Sequence, residues 1–363
     1  MKINKVHEIT FDTNETIISA TVSNREELIL LMSSGGVIRY KINEKNGQYL
    51  FSVKSDLYSD GGFDITAQST IYTLGTIVVV VNDYKRHGYI HYPEKYRALH
   101  LWRKDYHADI SCYPIALFKN EIGVPHIIYG AAWNHVQIMN LDTRQILTAA
   151  KSLIEENAEE KHIEFYKAFS VDDEEPWPRP YDYFFGKLLV SPDNKRFLSA
   201  GWVWGSSDAY NVYDIEHFIR SNRIADVKID AWEHENRAVC WIDGETVAIA
   251  YNPFTEEDEN STADSPCQIH FYKIDGENAV LEKQIPIIGL DISDLKIYYN
   301  KNLNSIIAHS GKIGIAIIEL DGQIIFQDTN LKVDEYFIET SLFIQKSDKT
   351  ISVYEITTTS TTQ

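Results

Sequence analysis

The sequence of 363 residues predicts an all-β fold, a β-propeller of seven four-stranded blades. Short apolar strands recur in sets along the chain, at the roughly 40-residue spacing of propeller blades. The 22 tyrosines and 15 phenylalanines favour strands over helices. The first residues, Ile3 to Phe11, form a strand without a blade of its own, whereas the last repeat lacks its fourth strand.

The repeat is clearest between residues 184 and 215. The strand ending at Val190 is followed by a turn, Ser191-Pro-Asp-Asn194, in which Pro fixes φ and Asp and Asn supply local hydrogen bonds. Arg196 to Trp204 and Tyr210 to Ile215 then alternate apolar and polar residues, as half-buried strands do. This segment therefore predicts three consecutive antiparallel strands of one blade.

Seven stretches match the third strand of that blade, and each follows an apolar strand. They are Val37–Ile42, Ala98–Trp102, Val136–Leu141, Tyr210–Ile215, Gln268–Ile274, Ile313–Leu320 and Thr350–Ile356. The match is weak in the first two repeats, so six or eight blades are the alternatives to seven. Pairing the N-terminal strand with the last blade would remove two exposed sheet edges.

We therefore predict a single propeller domain over residues 1–356 and a disordered tail over 357–363. Residues 149–183 are predicted to be an inserted helix and loop, which lies on the propeller rim or forms a lid over the central channel. Residues 253–266 are the most polar stretch and are predicted to be a mobile acidic loop. Residues 82–97, rich in Tyr, His and basic side chains, are predicted to be a long loop, either solvated or used in recognition.

The segment Leu-Leu-Val-Ser-Pro-Asp-Asn-Lys-Arg-Phe-Leu-Ser-Ala at 188–200, followed by Tyr210-Asn-Val-Tyr-Asp214, is similar to the WD40-like and quinoprotein-like β-propeller superfamily. The Gly-His and Trp-Asp hallmarks of true WD40 repeats do not occur. The run Gly201-Trp-Val-Trp204 also resembles a group of uncharacterised bacterial propeller proteins. The resemblance implies the fold, and a binding role by analogy.

Composition restricts the partners. With 53 acidic and 34 basic side chains, the formal net charge is −19. Such a chain repels phosphate backbones and anionic lipids, so we expect neither nucleic acid nor membrane as a partner. The three cysteines have neither disulfide-framework nor metal-ligand spacing, and the N-terminus does not read as a signal peptide. We expect a cytoplasmic protein, and a monomer.

Sequence motifs for chemistry are missing. Gly-x-Gly-x-x-Gly, Gly-x-x-x-x-Gly-Lys, Gly-x-Ser-x-Gly and His-Glu-x-x-His do not occur. His87 and His91 are the nearest approach to a metal-binding pair, and a polar surface explains them as well. We therefore predict no cofactor, no metal ligand and no catalytic residue.

Aromatic residues supply the candidate binding site. Trp133 and His135 follow the second strand of the third blade, and Trp202 and Trp204 end that of the fourth, so these equivalent positions should lie near each other on one face. Packing of both Trp202 and Trp204 between blades is the alternative. The full predicted set is Trp133, His135, Trp177, Arg179, Tyr181, Trp202, Trp204 and Asp208.

These observations predict a non-enzymatic cytoplasmic propeller that binds a protein or peptide through one face. A small-molecule or glycan binder, and a propeller hydrolase or lyase acting at the channel mouth, are the alternatives. An enzyme predicts carboxylates and His converging in one deep pocket, whereas a protein binder predicts a broad aromatic patch.

Overall fold

The computed structural model describes residues 1–11, 14–54, 62–168, 179–205, 207–229, 238–251, 267–290 and 295–357. Strand β1 (Lys2–Thr10) comes first, and sheets 1 to 3 follow, each built from consecutive antiparallel strands. Sheet 1 contains β2 (Ile17–Asn24), β3 (Glu27–Met32), β4 (Gly36–Lys41) and β5 (Asn46–Ser52). Sheet 2 contains β6 (Ser69–Leu74), β7 (Ile77–Asn82), β8 (His87–Tyr92) and β9 (Tyr96–Trp102). Sheet 3 contains β10 (Ile115–Lys119), β11 (Pro125–Ala132) and β12 (His135–Asn140).

Helix α1 (Ala158–Ala168) separates sheet 3 from sheet 4. Sheet 4 contains β13 (Phe184–Val190), β14 (Arg196–Val203), β15 (Ser207–Asp214) and β16 (Val227–Ile229), with helix α2 (Ile215–Arg220) between its last two strands. Sheet 5 contains β17 (Val239–Trp241), β18 (Thr246–Tyr251), β19 (Cys267–Asp275) and β20 (Asn278–Ile287). Sheet 6 contains β21 (Lys296–Asn300), β22 (Ser305–Ser310), β23 (Gly314–Glu319) and β24 (Ile324–Asp328). Sheet 7 contains β25 (Glu335–Phe337), β26 (Leu342–Lys346) and β27 (Thr350–Thr357), together with β1.

The prediction of a seven-bladed all-β fold is confirmed, with two local differences. In sheet 3 the position of the predicted fourth strand is taken by an isolated bridge between Met139 and Ile146. Helix α2 was not predicted; Asp214 caps it by accepting the backbone N–H of His217 at 2.8 Å. In the part of the chain that the structure describes, neither helix is long and apolar enough to cross a membrane.

The predicted pairing of the N-terminal strand with the last blade is also confirmed. Strand β1 runs antiparallel to β27, from Lys2 opposite Thr357 to Thr10 opposite Thr350. Ile9 contributes to the core below this pair and is 8% exposed. The chain thus completes its last sheet with its first strand, and the edge of β27 is covered.

Residue contacts divide the chain into two compact units: residues 1–102, 236–275 and 280–363 form the first, and residues 103–235 and 276–279 form the second. In the first unit, successive sheets share apolar cores in the order 5, 6, 7, 1, 2. Strand β3 shows how, because Leu28 and Leu30 face sheet 7 while Ile29 and Leu31 face sheet 2. Period-two alternation thus explains why this strand is apolar on both faces.

The second unit contains sheets 3 and 4, whose shared core is rich in aromatic side chains. Tyr213 stacks on Phe197 with ring centroids 4.7 Å apart, and Phe218 of α2 meets both rings edge-on. The turn predicted at residues 191–194 is present: Asn194 has φ of 59°, and the Ser191 hydroxyl donates to Asp193 at 2.6 Å.

The insertion that precedes sheet 4 is attached to the segment following α2. Lys151 donates to the carbonyl oxygens of Ser221 (2.6 Å) and Arg223 (3.1 Å), and Arg223 forms two hydrogen bonds with the carboxylate of Glu159. The predicted inserted helix is present as α1. The bonds between Arg223 and Glu159 attach it to the segment after α2.

One loop prediction is wrong. Residues 82–97 contain β8, whose side chains are nearly all buried, and Ala98–Trp102, predicted to be a third strand, belongs to the fourth. Tyr, His and Gly in β8 lack the aliphatic alternation that indicates a strand in a sequence. The predicted acidic loop at 253–266, residues 169–178 of the insertion and residues 358–363 of the tail lie outside the described residues.

Candidate functional site

Six aromatic side chains of the second unit lie together, and we call them the aromatic cluster. They come from the connection between β9 and β10, the β11–β12 turn, the start of β13 and the end of β14. In antiparallel sheets of this topology, these four places lie at the same end of the strands. The members are Tyr106, His107, Trp133, Phe184, Trp202 and Trp204.

The centre of the cluster is a stack of Phe184 on Trp202, with ring centroids 3.7 Å apart and ring planes 9° apart. The two residues are opposite each other in the β13–β14 ladder, next to a β-bulge between Phe184 and Lys187. The bulge brings the two backbones unusually close. A Cβ on Gly186 would lie 2.0 Å from the carbonyl oxygen of Ala200, and one on Gly201 would lie 2.1 Å from that of Phe184. The two glycines therefore permit the stack.

Trp202 is held from its other side as well. Its indole Nε1 donates to the hydroxyl oxygen of Ser111 at 2.9 Å, and Ser111 is 3% exposed. Trp202 itself is half-buried. Stacking and a hydrogen bond to a buried partner fix both the plane and the rotation of this ring.

The loop that supplies Ser111 is organised around Arg103. This guanidinium is 3% exposed, donates to the carbonyl oxygens of Ala108 and Ser111 at 2.8 Å each, and lies 4.6 Å from the ring centroid of Tyr113. A buried cation held by backbone carbonyls gives the loop one shape. Tyr106 and His107 are therefore presented by a fixed loop.

His107 is wedged among the rings. Its φ of 51° is in the left-handed region, and it meets Phe184, Trp202 and Trp204 edge-on at centroid distances of 5.3, 5.8 and 5.5 Å. A left-handed residue other than glycine costs free energy that the surrounding packing must offset. The backbone is thus bent to place this imidazole inside the cluster.

The outer members of the cluster face solvent. Trp204 is 51% exposed and Tyr106 is 49% exposed, while Trp133 is half-buried against Phe184, with ring centroids 4.4 Å apart. Asp105 and Asp109, both exposed, flank Tyr106 and His107 in the sequence, and Asp208 is opposite Trp202 in the β14–β15 ladder. The site is an aromatic platform with acidic neighbours.

The structure brings together three of the eight predicted binding residues, Trp133, Trp202 and Trp204. The binding role of these tryptophans stays a prediction. Trp177 lies outside the described residues. The exposed Arg179 lies over the ring of Phe165 in α1, at 5.6 Å from its centroid, and so is engaged with the insertion.

His135 and Asp208 are engaged by their own strands. The Gln137 amide donates to His135 Nε2 at 2.7 Å, and burial, with Lys104 and Lys151 nearby, lowers the pKa of this imidazole. The carboxylate of Asp208 accepts a hydrogen bond from the hydroxyl of Tyr210 at 3.5 Å. Of the two, only Asp208 borders the aromatic cluster.

Tyr181 is 2% exposed and is not a member of the aromatic cluster; its binding role stays a prediction. Its hydroxyl is 2.7 Å from the hydroxyl of Tyr213 and donates to the carboxylate of Asp226 at 2.7 Å. Asn211 donates to the same carboxylate at 2.7 Å. Burial raises the pKa of Asp226. Tyr181 therefore belongs to a buried polar network that ties the end of the insertion to sheet 4.

Sequence reasoning missed Tyr106, His107 and Phe184. Phe184 was seen only as part of a strand, and the loop before β10 carries no repeat signal. The motif available in the sequence was Asp105-Tyr-His-Ala-Asp109, two aromatic side chains between acidic ones in a connection between blades.

The described residues contain no candidate metal site. Among the described residues, no group of three or more His, Cys, Asp or Glu side chains is placed to hold a metal ion. His87 and His91 are engaged separately: His87 Nδ1 is 2.8 Å from His100 Nε2, whereas His91 Nδ1 meets the carbonyl oxygen of Arg97.

No family model matches the chain, and no curated protein matches it. Solved structures do match, among them the WD40 domain of Pan2 from Neurospora crassa. The TM-score is 0.55 at 10% sequence identity, over 97% of this chain and 94% of that one. A likeness at this identity concerns the fold. The chain therefore has a β-propeller fold similar to that of this WD40 domain.

Proposed function

We propose that this chain is a non-enzymatic binding protein whose aromatic cluster receives a segment of a protein partner. The observation that carries the proposal is the half exposure of Trp204 and Tyr106 on a fixed base. A partner that covers these rings would gain the free energy of burying their exposed apolar area, roughly 25 cal/mol for each Å².

The fixed base is what distinguishes this patch from scattered exposed rings. Phe184 and Trp202 stack beneath the exposed rings, and the Arg103 loop fixes Tyr106. Rigid Tyr and Trp side chains lose little conformational entropy on binding, which makes them the favoured anchors of binding surfaces.

The partner that fits is a segment carrying Arg or Lys. Asp105 and Asp109 are exposed and flank Tyr106 and His107 in the sequence, and the formal net charge of −19 attracts a cationic partner at long range. At short range, a guanidinium or ammonium group over a Trp face gains about 0.5–2 kcal/mol. The same net charge disfavours nucleic acid and anionic membranes as partners.

The fold supports a binding role in general terms, because WD40 domains commonly mediate protein interactions. We propose that the chain acts in the cytoplasm, as a monomer. The basis is its composition: three cysteines without framework spacing and an acidic balance of charge.

Selection of phage-displayed random peptides on the full chain tests the proposal. We expect the selected peptides to be basic and to bind with a dissociation constant that fluorescence anisotropy can measure. The double variant Tyr106→Ala/Trp204→Ala should weaken this binding at least tenfold.

A matched control is available in the first unit, where Tyr49 and Trp102 are 52% and 45% exposed. The double variant Tyr49→Ala/Trp102→Ala should leave the binding unchanged. The proposal is overturned if no peptide is selected, or if both double variants bind the selected peptides like the wild type. Acidic or uncharged selected peptides would overturn the charge argument.

A further inference from the structure

A cavity of about 360 Å³ lies between sheets 6 and 7 of the first unit, remote in sequence from the aromatic cluster. It is lined by the start of β21, the end of β22 and its turn, the connection from β24 to β25, and the end of β26. Three lysines from three different elements line it: Lys296, Lys332 and Lys346. We call it the lysine pocket. Because these residues are far apart in sequence, no basic run indicates it.

Backbone carbonyl groups fix each ammonium group. Lys296 donates to the carbonyl oxygen of Asp334 (2.9 Å), Lys332 to that of Lys312 (2.9 Å) and Lys346 to that of Ile17 (3.3 Å). Lys332 and Lys346 are also half-buried. Holding these flexible side chains in place lowers the entropy that a ligand must remove on binding.

The carboxylates near the pocket act mainly on one of its three lysines. Glu335 pairs with Lys296 at 2.7 Å, and the carboxylate of Asp334 accepts the backbone N–H of Lys346. Within the described residues, neither Lys332 nor Lys346 forms a salt bridge. Asp83 and Glu335 both act electrostatically on Lys296, so the positive charge left for an anion to neutralise is that of Lys332 and Lys346.

Ser310 adds a directional donor. It is 5% exposed, lines the pocket, and its hydroxyl oxygen accepts the backbone N–H groups of Lys312 and Ile313 at 3.2 Å each. Those two bonds use the oxygen as an acceptor, so the hydroxyl hydrogen remains for donation to an acceptor in the pocket.

We propose that the lysine pocket binds a small phosphate-bearing ligand. Lysine binds phosphate oxygens as a point charge, and a phosphate group carries more negative charge near neutral pH than a carboxylate, so it gains more from two ammonium groups that lack a salt bridge. A volume of about 360 Å³ lies at the lower end of small-ligand sites, so the organic part must be small. The proposal is independent of the aromatic cluster.

Calorimetric titration of the full chain with inorganic phosphate and with pyrophosphate, at ionic strength held constant with sodium chloride, tests the proposal. We expect saturable binding at one site and a higher melting temperature in phosphate than in chloride. Acetate at the same ionic strength should give neither effect. Lys332→Gln/Lys346→Gln should weaken phosphate binding at least tenfold.

The control Lys273→Gln/Lys301→Gln removes two exposed lysines that do not line the pocket, and should bind phosphate like the wild type. If the Lys332→Gln/Lys346→Gln chain does not fold by circular dichroism, the single variants Lys332→Gln and Lys346→Gln replace it, each with weaker binding expected. Equal affinity in wild type and pocket variants, or no saturable binding up to millimolar phosphate, overturns the proposal. Tighter binding of acetate than of phosphate overturns the assignment of ligand class.

Discussion

Phe184 and Trp202 form a contact between interior and surface: Phe184 is fully buried, Trp202 is half-buried, and their ring planes are 9° apart. They are cross-strand partners at a bulge, so their separation is set by the backbone as well as by the rings. The exposed Trp204 meets Phe184 edge-on at 4.9 Å. The orientation of the exposed surface therefore depends on a buried residue.

Replacing Trp202 and Trp204 separately should give different effects on stability. Trp202→Ala removes the stack and the hydrogen bond to Ser111, and we expect a loss of about 3 kcal/mol in the free energy of unfolding. Trp204→Ala removes a half-exposed ring and should change it by less than about 1 kcal/mol. Urea denaturation followed by far-UV circular dichroism measures both. Equal losses would show that Trp204 belongs to the core.

Gly201 should not tolerate a side chain. The Cβ of Gly201→Ala would lie 2.1 Å from the carbonyl oxygen of Phe184 and 2.6 Å from the hydroxyl of Tyr183, so β13 and β14 must separate. We expect a loss of about 2–3 kcal/mol and a red shift of tryptophan fluorescence as Trp202 leaves its stack. Gly311→Ala is the control, because its Cβ would meet open space. Unchanged stability of the Gly201→Ala chain would contradict the account of the bulge.

Sequence reasoning succeeds where the repeat is regular. The Ser191–Asn194 turn, the strands on either side of it and the closing role of β1 follow from local turn chemistry and alternation. It fails at β8, where Gly88 and buried His87 and His91 resemble loop residues. Their polar atoms are satisfied by partners such as His100, which a one-dimensional pattern does not show.

The sequence predicts only some residues of the candidate site, because packing between sheets decides the others. The equivalent positions of Trp133, Trp202 and Trp204 on neighbouring blades predict that they lie close together, and the structure places them in one cluster. Tyr181 looked equally suitable, yet it is buried outside the cluster, and burial depends on packing across sheets. The lysine pocket depends on the start of β21 and the end of β26 meeting the β24–β25 connection, which spacing along the chain does not encode.

Removing the N-terminal strand should destabilise the first unit. Deletion of residues 1–11 exposes the edge of β27 and removes Ile9 from the core shared by sheets 7 and 1. We expect a lower melting temperature by calorimetry, and partial recovery when a synthetic peptide of residues 1–11 is added in excess. Val6→Ala, at a position 38% exposed, should leave the melting temperature nearly unchanged. An unaltered melting temperature of the deletion variant would mean that β1 pairing contributes nothing.

The Asp226 network should give the protein a measurable pH dependence. Burial raises the pKa of this carboxyl group above its ordinary value of 3.8, although Lys228 and the hydrogen bond from Tyr181 oppose the shift. The native state therefore binds a proton more tightly than the unfolded chain. The contribution of Asp226 to the free energy of unfolding is fully present below pH 3.8 and is lost as the pH rises through the raised pKa.

Substitutions at this position separate charge from hydrogen bonding. Asp226→Asn keeps an oxygen that accepts from Tyr181 and Asn211 and removes the buried charge, so the stability of the wild type minus that of this variant should fall as the pH rises from 4 to 7. Asp226→Ala leaves both donors without their acceptor, so it should be less stable than Asp226→Asn by roughly 1–3 kcal/mol at every pH. Urea denaturation of the three chains at half-unit pH intervals measures these differences. Because only the wild type carries the titrating carboxyl group, a pH-independent difference between it and Asp226→Asn would mean that this group titrates alike in the folded and unfolded chain.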